Sequence, residues 1–208
     1  MHLLPESGSA PLQIQQIRSC RVQIHPRPIR EEVEFQSPRY FQYHWSFMTE
    51  IKYKPIGIIH SPFKEPKGTP IQPAGAKGID GTVEVFPEYA EGLKDVEGFS
   101  HIILIYHFHL SKKSSLKVKP YLDNEVHGVF ATRAPSRPNP IGISTVRLLR
   151  IEGNILYIQD VDIVDETPLL DIKPYVPEFD IREVERIGWL EEKVHKLWMT
   201  KDDGSFTR

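Results

Sequence analysis

Proline sets the strongest limit on what this chain can fold into. Eighteen of its 208 residues are proline, against a usual share of about 5%. Each one fixes φ, removes a backbone donor and pushes the preceding residue away from helical geometry. Such punctuation favours many fixed turns and strand ends over long helices.

The segments between the stops read mostly as strands. YKPIGIIHSP (53–62) predicts a strand that ends at Ser61-Pro62, and GTVEVF (81–86) alternates as a half-buried strand does. FSHIILIYHFHL (99–110), the longest apolar run, predicts a central strand; VFATR (129–133) predicts a short one. IGISTVRLLRIEGNILYIQDVDIV (141–164) predicts a hairpin turning at Glu152-Gly153-Asn154, and LLDIKPY (169–175) runs into a proline stop. Residues 68–81 are dense in Gly and Pro and predict a loop, and 87–93 predict a helical turn. Only the tail has helical spacing, through Val184, Ile187, Leu190, Val194 and Leu197. Many short strands with proline-rich turns argue for a mainly β barrel or sandwich. No strand–helix alternation and no GxGxxG occur, which disfavours a doubly wound nucleotide-binding sheet.

All fourteen lysines follow Met48, whereas the first 47 residues carry five arginines and no lysine. The expected organisation is therefore a flexible extension over 1–47, with Met48 as the natural start, a β domain over 48–180, and a C-terminal helix and tail over 181–208. The competing reading of the extension is a pairing strand at 13–24, where QIQQIRSCRVQI roughly alternates.

Composition removes several function classes. With 39% hydrophobic and 26% charged residues the chain can bury a real core. No apolar run reaches the roughly 18 residues of a membrane span, and the first residues lack the basic and apolar regions of a signal peptide. The single cysteine, Cys20, excludes an internal disulfide and a cysteine-based zinc site. A cytoplasmic protein is expected. At a net charge of −2, binding of nucleic acid would need a local basic patch.

Four stretches have the residues for chemistry. In RAPSRPNPIGIS (133–144), Pro135, Pro138 and Pro140 stiffen the backbone, so Arg133, Arg137 and Asn139 project from a pre-set frame. Its bland counterpart is a stiff connection with solvated arginines. Asp160, Asp162, Asp165, Glu166 and Asp171 crowd one apolar segment, where Asp160 and Asp162 read as the outer face of a strand, and Asp171 as either an ion pair with Lys173 or a carboxylate facing a cation. His107 and His109 share a strand face, but no third ligand stands at a clear spacing, so no metal is expected. Lys112, Lys113, Lys117 and Lys119 lie beside Tyr121 and form either a solvated loop or a phosphate-contacting patch.

Together GIIHSPFKE, PIQP, GFSHIILIYHFH, GVFATRAPSRPNPIGIS and VDIVDETPLLDIKPY resemble the TrmO (TsaA-like) family of S-adenosylmethionine-dependent tRNA methyltransferases. The resemblance covers about 56–175. It implies a compact single-sheet β-barrel, a homodimer, and methyl transfer to N6 of threonylcarbamoyladenosine beside the anticodon. The family's Pro-Arg-Gln-Pro loop falls on Pro70, Ile71, Gln72 and Pro73, so its arginine is replaced. The strand-end histidine falls on His109, the Thr-Arg pair on Thr132 and Arg133, and the Arg-Pro-Asn-Pro-Ile-Gly segment on 137–142. In the Asp-Gly-Thr-Pro turn Glu166 stands in the glycine's place.

From that resemblance the cofactor set is Pro70, Gln72, Pro73, His109, Arg133, Asn139, Ile143, Leu169, Leu170, Asp171 and Ile172. Asp171 or His109 is the expected proton acceptor. Arg137, Lys112, Lys113, Lys117, Lys119 and Lys173 are the expected RNA contacts. A small-molecule methyltransferase on the same barrel, or a barrel that binds RNA without catalysis, are the competing readings.

Overall fold

The structure, a computed structural model, describes residues 51–207. The expected extension over 1–47 and the alternative strand at 13–24 lie outside the described residues.

Among the described residues eight strands form: β1 (Gly57–His60), β2 (Asp80–Val85), β3 (His101–His107), β4 (Lys117–Val118), β5 (His127–Gly128), β6 (Ile141–Glu152), β7 (Ile155–Gln159) and β8 (Thr167–Pro174). Six close into an antiparallel barrel in the order β1-β2-β7-β6-β3-β8, and β4 pairs with β5 as a separate ribbon. The mainly β barrel is therefore observed, and the sandwich is not.

Period-two alternation explains the closure. Ile102, Leu104 and Tyr106 of β3, Ser144 and Val146 of β6, and Leu156 and Ile158 of β7 are buried, while their neighbours along each strand are more exposed. A six-stranded barrel has an interior that side chains alone fill. Each large aliphatic side chain sealed there contributes about 1.5–3 kcal/mol. Gly142 faces the same interior, and a Cβ there would stand 2.2 Å from Cε2 of Tyr106, so glycine is what lets that ring lie against β6.

The β6–β7 hairpin turns at Gly153, at φ +63°. The register between β3 and β8 shifts between Ile105 and Tyr106, so Leu170 is the extra residue of a bulge. Beyond it Asp171 pairs with Ile105 and Lys173 with Ile103 on the outer face, while Ile172 turns toward the core.

Two expectations are corrected. Residues 129–133 do not form a strand; Val129–Ala131 is a 3-10 turn. Arg137 is the reason: its Nη1 donates to the carbonyls of Val129, Thr132 and Ala134 at 3.2, 2.8 and 3.3 Å, which curls the segment around one cation. The tail is not the continuous helix its spacing predicted. After a short helix at Pro177–Asp180 it makes 3-10 turns at Gly188–Leu190 and Val194–Met199. Gly188, at φ +62°, interrupts the helical path. Tertiary contacts then fix the tail: Trp189 Nε1 donates to the Ala131 carbonyl at 2.8 Å, its ring stacks on His127, and Lys193 pairs with Asp123.

Candidate active site

One end of the barrel opens into a cavity of about 620 Å³, within the range of small-molecule sites. Its walls are the 66–72 loop, the end of β3 with Phe108 to Ser111, the turn 130–135, the segment Asp162–Thr167, and the tail from Trp189 to Phe206. The start of the proline-braced segment, Arg133 to Pro135, is thus part of one wall; Arg137 draws the carbonyls of Val129, Thr132 and Ala134 together behind it, and the Pro140 carbonyl accepts from the Phe108 N–H at 2.8 Å.

Of the predicted cofactor residues, Pro70, Gln72, His109 and Arg133 meet around this cavity. Arg133 Nη1 donates to Gln72 Oε1 at 2.8 Å, joining two loops that are 61 residues apart. His109 Nδ1 stands 3.4 Å from Thr167 Oγ1. Burial, together with neighbouring His107, lowers the His109 pKa, partly offset by Glu166.

The others are placed elsewhere. Pro73 begins a 3-10 turn at Pro73–Ala76, and Asn139 is exposed in the loop before β6. Leu169 is sealed in the barrel core, and Ile172 packs against it. Leu170, Asp171, Lys173 and Ile143 carry the alternation to the outer surface, where Ile143 and Asp171 flank Ile105 from the strands on either side. Asp171 Oδ2 is bridged to Lys173 Nζ at 2.7 Å. The expected union of the 169–172 stretch with the arginine loop around one cavity is therefore not observed; the preceding segment, Asp162–Thr167, takes that place. Lys112, Lys113, Lys117 and Lys119 are exposed and make no ion pair among the described residues. Arg137 is turned onto its own loop. No group of three or more His, Cys, Asp or Glu side chains is placed to hold a metal ion among the described residues.

Sequence reasoning missed the floor of the cavity. Tyr106 and Asp162 line it, and Ser144 links them: its Oγ donates to Asp162 Oδ1 at 2.7 Å and lies 3.1 Å from Tyr106 Oη. The sequence pattern makes Asp162 an outward strand position. In fact β7 ends at Gln159, and Asp160, at φ +70°, resets the alternation. Burial pushes the Asp162 carboxyl up to about 7, against the Ser144 hydrogen bond and the Arg133 charge, which both lower it. Burial, then the Asp162 charge, also raises the Tyr106 hydroxyl, which remains protonated. Phe130 was missed too. It is 76% exposed, yet it lines the cavity rim, with the Arg137 guanidinium 5.9 Å from its ring centre.

The lining suits a ligand with an apolar body and a positive centre. Tyr106 and Phe108, edge to face at 5.3 Å, offer aromatic surface, and Asp162 offers a carboxylate. Arg133 adds a donor at the rim for an anionic group.

Comparison with known proteins agrees with this architecture. Residues 58–181 match the family model of the tRNA-methyltransferase O N-terminal domain. A probable S-adenosyl-L-methionine-binding protein of Pyrococcus abyssi is 72% identical over 156 residues, 75% of this chain and 85% of the relative. The tRNA (adenine(37)-N6)-methyltransferase of Mus musculus is 37% identical over 134 residues, 61% of this chain but 31% of the relative. The crystal structure of TrmO from Pseudomonas aeruginosa superposes with a TM-score of 0.57 at 39% identity, covering 67% of this chain and 62% of that one. The chain thus spans most of the archaeal relative and less than two thirds of the bacterial and mouse proteins. On its matched barrel and on the motifs that wall its cavity, the chain belongs to the tRNA-methyltransferase O N-terminal domain family.

Proposed function

We propose that this protein is an S-adenosylmethionine-dependent methyltransferase acting on N6 of adenine 37 in tRNA, with the threonylcarbamoyl-modified base as its acceptor. The single observation that carries the reading is the cavity between the proline-braced arginine loop and the Asp162–Thr167 segment. The family match and the mouse relative's activity support the tRNA substrate. The names of the archaeal relatives support the cofactor.

When bound, S-adenosylmethionine supplies a methyl group on a positively charged sulfur. Tyr106, Phe108 and Asp162 surround the place where that charge would be favoured. Arg133, fixed by Gln72, would hold the cofactor's carboxylate. His109, facing the same space, orients the acceptor base. In-line approach then does most of the work, since methyl transfer needs positioning more than covalent help.

The RNA face is the rim. Phe130 is an exposed aromatic on a turn held by four hydrogen bonds from Arg137 and Trp189, a rigid platform for a splayed anticodon-loop base. The β4–β5 ribbon sets Lys117 opposite Gly128, two residues before Phe130, so cations lie beside that platform. Lys112, Lys113 and Lys119 extend the patch to the phosphates.

A homodimer is part of the proposal. Ile143, 51% exposed, and Ile141 lie on the outer face of β6 next to Ile105 of β3, an apolar row suited to a second copy. Ile143→Lys should yield a monomer by light scattering. A cytoplasmic location is part of the same proposal.

The test is transfer of radiolabelled methyl groups to tRNA with and without the threonylcarbamoyl group. Label on N6 of adenine 37 in the modified tRNA alone is the expected result. Label on neither RNA, with cofactor still bound, would leave a small-molecule acceptor; no cofactor binding would leave an RNA-binding barrel.

A further inference from the structure

We propose that Asp162 is the catalytic base that takes the N6 proton of the acceptor adenine, with Ser144 and Tyr106 as the positioning residues that hold its carboxylate. The inference rests on the methyl-transfer reading above and names the group that completes it.

The geometry separates Asp162 from its rivals. Asp171 points to the outer face and is bridged to Lys173. Asp202 also walls the cavity, but its Oδ1 accepts from the Gly204 N–H at 2.6 Å, within a turn of its own tail. Asp162 lies on the cavity floor, with Oδ1 fixed by Ser144 Oγ at 2.7 Å and no ion pair among the described residues. Ser144 is itself placed by the Tyr106 hydroxyl at 3.1 Å. The three come from β6, β3 and the segment after β7, so the barrel, not a loop, sets the carboxylate's position.

Charge favours the carboxylate over His109. As the N6 lone pair forms the new N–C bond, the S–C electron pair stays with sulfur and the N6–H proton passes to Asp162. Sulfonium and carboxylate begin as opposite charges and both end neutral, so the pair carries no net charge at either stage. A histidine acceptor would leave a cation behind. N6 of the modified base sits next to a carbonyl, which makes its lone pair weak and loss of its proton necessary. A carboxyl that burial lifts to about 7 is matched to that task near neutral pH.

The charged and titratable groups facing Asp162 are Tyr106 from β3 and Arg133 from the loop, with His109, Tyr121 and Asp202 on the same cavity. Tyr106 stays protonated across the working range.

The experiment pairs infrared titration of the cofactor-free protein with single-turnover methyl transfer to the threonylcarbamoyl-modified tRNA. Wild type should show a protonated-carboxyl band with a midpoint near 7, and Asp162→Asn should lack it. The variant's rate should fall by about 100-fold or more, while calorimetric cofactor affinity falls by no more than about tenfold. Ser144→Ala should move the band midpoint and the acid limb of the rate profile upward together. An Asp162→Asn rate within about tenfold of wild type, or an acid limb that stays while the band moves, overturns the assignment alone. A wild-type protein that methylates no tRNA overturns the functional reading and this inference together.

Discussion

Ser144 reaches across the end of the barrel to Asp162, an Oγ–Oδ1 separation of 2.7 Å between residues eighteen apart in the chain. One hydroxyl thus joins the central strand pair to the segment that walls the cavity. It also sets the acidity of the carboxyl it meets, because the hydrogen bond favours the ionised form and opposes the effect of burial.

The raised carboxyl pKa has a consequence for folding. The folded protein holds that proton more tightly than the unfolded chain does, so stability falls as pH rises from about 4 to about 7. Asp162→Asn removes the buried charge. In urea unfolding it should be more stable than wild type at about pH 8 and no more stable at about pH 4. A variant less stable at both pH values would mark Asp162 as a structural residue instead.

Glu166 occupies a left-handed position, φ +60°, where the family pattern has glycine. Its side chain is exposed, so the backbone cost has no packing compensation there. Glu166→Gly should raise stability by about 1 kcal/mol in denaturant unfolding. It also removes the charge that partly sustains the His109 pKa, so that imidazole should titrate lower by NMR.

Gly142 has no room for a methyl group. A Cβ there would meet the Tyr106 ring at 2.2 and 2.5 Å and Phe108 Cζ at 2.9 Å. Gly142→Ala should destabilise the barrel by about 1–3 kcal/mol. By displacing Tyr106 it should also shift the acid limb of methyl transfer, a change that simple loss of stability would not produce.

Charge reversal at Lys112 and Lys113 should weaken tRNA binding. It should also flatten the salt dependence, reducing the slope of log K against log salt by about two if each contacts one phosphate. Phe130→Ala should raise KM for tRNA with little change in cofactor affinity, whereas Phe130→Trp should keep tRNA affinity. Filter binding across a salt series and steady-state kinetics read both.

The sequence made the barrel legible because strand alternation and proline stops are local signals. The run at 81–86 overlaps β2 with a shift of one residue, and the runs at 99–110 and 141–164 contain β3 and the β6–β7 hairpin. The failures had non-local causes. Nothing near Val129 announces that Arg137, eight residues later, gathers the carbonyls of that turn. The tail kept helical spacing, yet Gly188 and its contacts with Ala131, Asp123 and His127 redirect it. Motif resemblance located four cofactor candidates at the cavity but could not separate its faces. The bulge at Leu170 and the positive φ of Asp160 decide whether Asp171 or Asp162 looks inward, and neither was visible as a local pattern.

The most direct test of the account is a crystal structure of the full chain soaked with S-adenosylmethionine. The cofactor should lie in the cavity, with its sulfur between Tyr106 and Asp162 and its carboxylate at Arg133. Density for the sulfur on the outer face, beside Ile143 and Asp171, would contradict it.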